Sequence, residues 1–583
     1  MRRGARVLPA LVAAALVLTA CGSAGGGPKA TEASLADTIT IGIEQAPDSY
    51  NADTSDSNSV YNAYVDNLTQ QGFVRILPDG SVEPNPTFGT YTKVSDDPLT
   101  VTYTFADAAV WSDGTPIDFD DALLSWAAHS GSHPSAELGA DGNPADLFNP
   151  SSTSGWADVA MPVGKAGDKS FTLTFTTPYA DWEVLGLGFL PAHVAAAQGG
   201  LSAAGNGAAL VAAIENDDVA ALTPVAKFWN TGWAYQESLP ALPAAALIPS
   251  SGPYSYGNAA DGTLTLVRNP KWWGDAAKTA SIVFKAVDPA EMVQALANGE
   301  IDSFDPTNPT ADMLAQLVAL RAAVKVEKGQ SLTYSHIDLD SSSSGLFADA
   351  RVRTAFLKCV PRQELVDKFA TPIDPDSTVL DLHEYLPSQP EYRSVLDQVP
   401  AAKAYDGVDL AGARALLAQA GVATPLTVRV LRASQSALRG DQVALIKASC
   451  DQAGFTIVDQ ADADSATTRS QRGQGDASIF GWSGSGLVTA NETFYTTGGG
   501  QNFGGYSDAT VDDLWSQIVK VTSRADAVPL KVRLEQELWA NPYNVLLYAN
   551  PGLTAFSAHL TGPGYNPTQY GSTWNAQTWT KTR

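Results

Sequence analysis

The chain has 583 residues, with 62 Asp and Glu against 36 Lys and Arg and a formal net charge of −26. So acidic a chain repels phosphate backbones, and no basic stripe interrupts it, which excludes nucleic acid as a partner. A hydrophobic content of 44% with 17% charged residues is that of a soluble globular protein, and the length sets an expectation of two to four domains.

Arg2, Arg3 and Arg6 precede an apolar stretch from Leu8 to Ala20, broken only by Pro9 and Thr19. A lasting membrane span needs roughly 20 residues to cross about 30 Å of hydrocarbon, so this shorter run fits a secretory signal peptide. Leu18-Thr19-Ala20-Cys21 resembles the bacterial lipobox, in which the cysteine becomes the lipidated N-terminus. The alternative is a plain signal peptide with an incidental cysteine. The expectation is removal of residues 1–20, a lipid anchor on Cys21 and a flexible tether over residues 21–36, whose glycines give a reach of about 20 Å. Loss of the three arginines takes the net charge from −26 to −29. No second apolar run approaches spanning length, so the lipid is the expected membrane hold, on the outer face of the cytoplasmic membrane.

Past residue 36, strand and helix patterns intermix. Val101, Tyr103 and Phe105 alternate with threonines, the mark of a half-buried strand. Residues 171–175, 263–267, 282–287 and 426–431 read the same way. Asp288, Glu291 and Gly299 bracket a helix with start and stop signals, and Leu410, Ala413, Leu417 and Ala420 line one face of a helix that Gly421 ends. The mixture predicts an α/β or mixed α+β fold without internal repeats. Cys359 follows Val352 and Ala355 at helical spacing, and Cys450 follows Val443 and Ile446 likewise. Two isolated buried thiols are one reading; an oxidising exterior and an even count favour a Cys359–Cys450 disulfide, worth about 4 to 5 kcal/mol at the upper end.

Little in the chain reads as catalytic. His129 and His133 have i,i+4 spacing, but Gly131 and Pro134 make a poor helix, and the sequence holds no HExxH, EF-hand or cysteine cluster. Gly481-Trp482-Ser483-Gly484-Ser485 has serine where a nucleophile elbow needs its last glycine, and no helix pattern follows. With 62 acids, carboxylate pairs for glycoside hydrolysis are too numerous to read. The expectation is a protein with no catalytic residues, no metal and no cofactor; a secreted hydrolase is the alternative from another class.

Six segments, in order, resemble the dipeptide and oligopeptide receptors of bacterial ABC importers, the family 5 extracellular solute-binding proteins. They are VTYTFADAAVWSDGTPIDFDDALLSW (101–126), SGPYSYGNAADGTLTLVRNPKWWGD (251–275), ALANGEID (295–302), LFADARVRTAFLKCVPRQEL (346–365), YDGVDLAGARALLAQAG (405–421) and NFGGYSDATVDDL (502–514). The resemblance implies a two-lobed fold with the solute enclosed between the lobes. Lobe I would comprise residues 37–338 and 545–583, with an additional subdomain at 82–235, and lobe II residues 339–544. It also implies a monomer that takes a peptide or other small solute and works with permease subunits. An oligosaccharide ligand, or a relative that senses rather than imports, remains open.

The same resemblance places Tyr50 and Asn51 on the lobe I side of the cleft, and Gly481, Trp482, Ser483, Ser485 and Asn502 on the lobe II side. Tyr50 and Trp482 would offer flat apolar faces and the others neutral hydrogen bonds. One departure stands out. Many peptide receptors of the family carry an aspartate just after that tryptophan, paired with the ligand ammonium; here Ser483-Gly484-Ser485-Gly486 follows. An enclosed ammonium without a countercharge costs several kcal/mol, so a free-amino peptide would need another acid.

Overall fold

The computed structural model describes residues 37–138, 144–201, 207–236, 238–470 and 473–582. Residues 1–36, with Cys21 and the predicted signal and tether, lie outside the described residues. Among the described residues no helix is long and apolar enough to cross a membrane.

A ten-stranded sheet runs through the molecule. Its strands follow the order Phe455–Asp462, Leu426–Ala433, Ala477–Ser483, Val324–Leu339, Asn544–Ser557, Ser303–Phe304, Thr38–Ile43, Ser281–Ala286, Thr263–Arg268 and Tyr254–Ala260. Two hydrophobic cores share this sheet. The first gathers Ile39, Ile41, Ile43, Leu264, Ile282 and Phe284 with residues from 50 to 248 and Phe556, Leu560 and Trp579. The second gathers Leu332 to Val399 with Val428, Val430, Phe455, Ile479 and the run Val545 to Ala549. The long strands Val324–Leu339 and Asn544–Ser557 pair antiparallel and belong to both bodies. Their register shifts between Gln330 and Tyr334, so the ladder is interrupted where the chain passes from one core to the other.

Local sequence explains the elements. In Leu99–Phe105 the residues Leu99, Val101, Tyr103 and Phe105 are at most 1% exposed, while Thr104 faces solvent. This strand pairs with Gly89–Asp96 and Ser170–Thr174, building an aromatic core beside the main sheet. Asp118 caps the helix Phe119–His129 in a reciprocal capping box with Asp121. In lobe II, Asp409 caps Leu410–Ala420 and Gly421 closes it in the left-handed conformation, at φ 71°. The helices Ala350–Cys359 and Ala437–Cys450 each end on a buried cysteine, and the two sulfurs are bonded, with Cα atoms 4.9 Å apart.

The lobes touch away from the shared strands. The Asp181 carboxylate, from the first lobe, accepts the backbone N–H groups of Val488 and Thr489 at 2.9 Å each and the Thr489 hydroxyl at 2.8 Å. Beside it the Ala180 N–H donates to the Val519 carbonyl and the Trp182 indole to the Thr522 carbonyl, both at 3.1 Å. At a second point the turns at Gly80 and Gly486 meet, both with positive φ, and a side-chain carbon on Gly80 would lie 3.9 Å from the Gly486 Cα. The structure is therefore a form in which the lobes are in contact.

Candidate ligand-binding site

The residues expected to face the solute divide into two groups. Trp482, Ser483 and Ser485 retain accessible surface on the second lobe. Trp482 is half-buried in a stack: its ring lies 4.2 Å from that of Phe494 and 5.8 Å from that of Phe503, at interplanar angles of 12° and 18°. Strand pairing of Trp482 with Tyr334 sets this position. The exposed Ser483 hydroxyl lies 3.1 Å from that of Thr333, and exposed Ser485 accepts the Leu487 N–H at 3.4 Å. Gly481 is half-buried, and a Cβ there would come within 3.4 Å of the Tyr334 carbonyl oxygen.

Tyr50, Asn51 and Asn502 require correction. Tyr50 is fully buried, its hydroxyl donating to the Pro249 carbonyl and its ring packed on Trp233 and Tyr256. The Asn51 amide donates to the Trp229 carbonyl and accepts the Asp53 N–H, each at 2.9 Å. Asn502 donates to the carbonyls of Thr496 and Tyr506 and accepts the Tyr506 N–H. All three are buried and use polar side-chain atoms inside the protein, where they hold loops in shape.

Next to the buried Tyr50 lies a cavity of about 300 Å³, lined wholly by first-lobe segments and by Gln569 and Tyr570 of the returning chain. The helix Val60–Thr69 presents Asp66 to it. Asp66 takes one long bond, 3.4 Å from the Gln70 amide, and no Lys or Arg among the described residues pairs with it. Burial, with the Asp53 charge adding to it, pushes its carboxyl well above the usual range. Arg75 also lines the cavity, but its guanidinium is joined to Glu83 at 2.9 Å.

Across the cavity stand Ser125, His129 and Trp156. The His129 Nδ1 lies 2.8 Å from the Ser125 carbonyl; a carbonyl can only accept, so this nitrogen carries a hydrogen, and Nε2 is an acceptor whenever the ring is uncharged. The imidazole stacks near Trp156, centroids 6.1 Å apart at 27°. Ser125 and Trp156 are each 9% exposed, and among the described residues neither the Ser125 hydroxyl nor the Trp156 indole N–H has a protein partner. Sequence reasoning missed Asp66, Ser125 and Trp156, and weighed His129 only as a metal ligand with His133. Asp66 alone left a trace, as an acid on a helix with Asn62 and Gln70, rather than a basic residue, at i±4.

Among the described residues no cluster of three or more His, Cys, Asp or Glu could hold a metal ion. His129 and His133 do not converge: His129 ends its helix, whereas His133 turns to Asp217 at 2.9 Å.

Two lobes that share long strands and touch again at Asp181 have the architecture of a two-lobed solute-binding protein. Residues 83–505 match the family described as bacterial extracellular solute-binding proteins, family 5 Middle, and the chain belongs to it. Proteins of this family and fold bind substrates and are not enzymes. Among curated relatives, the uncharacterized lipoprotein Rv2585c of Mycobacterium tuberculosis is 27% identical over 100% of this chain and 98% of its own. The oligopeptide-binding protein OppA of the same species is 25% identical over 90% of this chain and 82% of its own. Among solved structures, a periplasmic EDTA-binding protein, EppA, superposes with a TM-score of 0.79 at 20% identity, covering 94% of this chain and 96% of its own. The oligopeptide-binding protein AppA of Bacillus subtilis, in complex with a nonapeptide, superposes at 0.67 with 16% identity, covering 94% and 99%.

Proposed function

We propose that this protein is the extracytoplasmic, lipid-anchored receptor of an ABC import system, capturing a peptide between its lobes and delivering it to the permease. Lobe I takes residues 37–331 and 550–583, with 82–235 as its added subdomain, and lobe II takes 332–549; the expected bounds at 338 and 545 move because Leu332 to Ile337 and Val545 to Ala549 pack in the second core. The observation that carries this reading is the pairing of a bridge between lobes, built on Asp181, with a neighbouring cavity of about 300 Å³. Closure excludes water from the solute and strengthens each polar contact made there, and a partner that prefers the closed form then reads occupancy.

Peptide is favoured over the other solutes by charge. EDTA, named for one structural relative, is a polyanion, and Asp53 and Asp66 would repel it here. A peptide, named for OppA and AppA, brings an ammonium that those acids attract. Trp482 and the Ser483 and Ser485 hydroxyls supply the lobe II wall. Cys21 holds the lipid.

Native mass spectrometry of the purified protein tests this reading. A retained ladder of masses spaced by amino-acid residues is expected; a single sugar or chelate mass would replace the ligand, and turnover of a bound solute would overturn the receptor role.

A further inference from the structure

We propose that the lobe I cavity is a cation subsite, taking an ammonium or guanidinium of the solute against Asp66. The proposal rests on the receptor reading.

Three of the groups lining the cavity can act as acceptors without a strong protein partner of their own. Asp66 offers carboxylate oxygens bound only by the long Gln70 contact. His129 offers Nε2, since its Nδ1 hydrogen is spent on the Ser125 carbonyl. Ser125, nine-tenths buried and unpartnered among the described residues, offers a hydroxyl lone pair from the same wall. Asp53 stands at the rim and adds negative potential, while the one arginine of the lining is neutralised by Glu83. Asp53 at the rim disfavours an anion here, and burial disfavours the ionised form of Asp66 as long as it has no partner. A cation bound against Asp66 is the partner that restores its charge.

Trp156 narrows the shape. Its indole N–H, without a protein acceptor among the described residues, is a donor that suits a carbonyl next to the cation. Its ring, flanked by His129, is a flat wall for the intervening carbons. Ammonium, short apolar stem and carbonyl together describe the amino-terminal residue of a peptide. A lysine or arginine side chain carries the same cationic chemistry, and the experiment separates the two sources.

Saturation-transfer NMR on the full mature protein, with n-butylammonium, n-butylguanidinium, butyramide and butyrate as probes, tests the subsite directly. Both cations are expected to bind and the neutral and anionic probes not. Asp66→Asn, nearly isosteric, is expected to weaken the cations at least tenfold. Asp56→Asn, which removes an exposed charge outside the cavity, is expected to leave them unchanged. Ser125→Ala serves as a second variant should Asp66→Asn lose its near-UV circular dichroism, with at least a threefold weakening expected. Absence of cation binding, equal binding of butyramide, or cation binding unaltered by the cavity substitutions would overturn the proposal.

Titration with trialanine, N-acetyl-trialanine and N-acetyl-Ala-Lys-Ala amide then assigns the source. Binding of trialanine alone assigns the α-ammonium, and binding of the lysine peptide assigns a side chain. If butylammonium binds in an Asp66-dependent way and no peptide binds, the subsite stands and the peptide reading falls.

Discussion

Phe73 sits at the centre of lobe I among Phe88, Tyr103, Phe105, Phe171 and Phe189, with ring centroids 4.9 to 6.2 Å away. The middle of lobe II holds charge instead. Lys531 meets Glu384 at 3.1 Å, both nearly inaccessible, and Glu535 accepts His383 Nδ1 at 2.8 Å together with the backbone N–H groups of His383 and Glu384. Arg362 donates to the Leu546 carbonyl, and the Cys359–Cys450 bridge pins the helices outside. Aromatic pairs favour tilted and edge-on contacts and lose area when truncated, whereas a buried ionic network leaves an uncompensated charge when one partner is removed. The network also reaches the lobe contact: Asn491 donates to the His383 carbonyl at 2.9 Å, two residues from the Thr489 that Asp181 holds. Lobe II thus positions its closing loop from within.

That contrast can be broken most severely at the bridge. Replacing Cys359 and Cys450 by alanine opens a separation of 91 residues and is expected to cost lobe II about 4 to 5 kcal/mol on the chain-entropy model. Hydrogen exchange read by mass spectrometry should rise throughout residues 339–544 and stay unchanged around Phe73. Lys531→Met leaves Glu384 buried without its cation and is expected to cost about 4 kcal/mol. The same measurement should show the segment 488–491 exchanging faster, which a loss confined to the helix would not produce.

Phe73→Ala turns the comparison around. The cavity it leaves is expected to cost about 3 kcal/mol, seen in lobe I peptides alone. A pH effect is expected at the capped helix of lobe I. Burial, then the Asp120 charge, raises the Asp118 carboxyl to about 6, and burial, then Asp118, raises that of Asp121 to about 7. Both values lie above the unfolded range near 4, so the stability of the protonated forms is complete below about pH 4 and is lost as pH rises through 6 and 7. Calorimetry between pH 4.5 and 7.5 should show the lobe I transition falling; a rising one would contradict the assignment.

Much of the fold was legible because its signals are local. The alternation of Val101, Tyr103 and Phe105 fixes a strand wherever it packs, and Gly421 stops its helix through its own backbone. The solute-facing side was less so. Family position carried Tyr50, Asn51 and Asn502 toward the cleft, but side-chain direction is decided by neighbours such as Pro249, Trp229 and Tyr506, which no local pattern records. The acid cavity draws on residues 66, 125, 129, 156 and 570, far apart in the chain, so no spacing rule brings them together.

The central claim is that the two lobes shut on a solute. Fluorescence energy transfer between dyes on Cys residues introduced at exposed Asp56 and exposed Asp513, on either side of the contact, measures that movement directly. Saturating peptide should shorten the distance, and Asp181→Ala should require more peptide to reach the same end point. A distance indifferent to every peptide, in wild type and variant alike, would contradict the account.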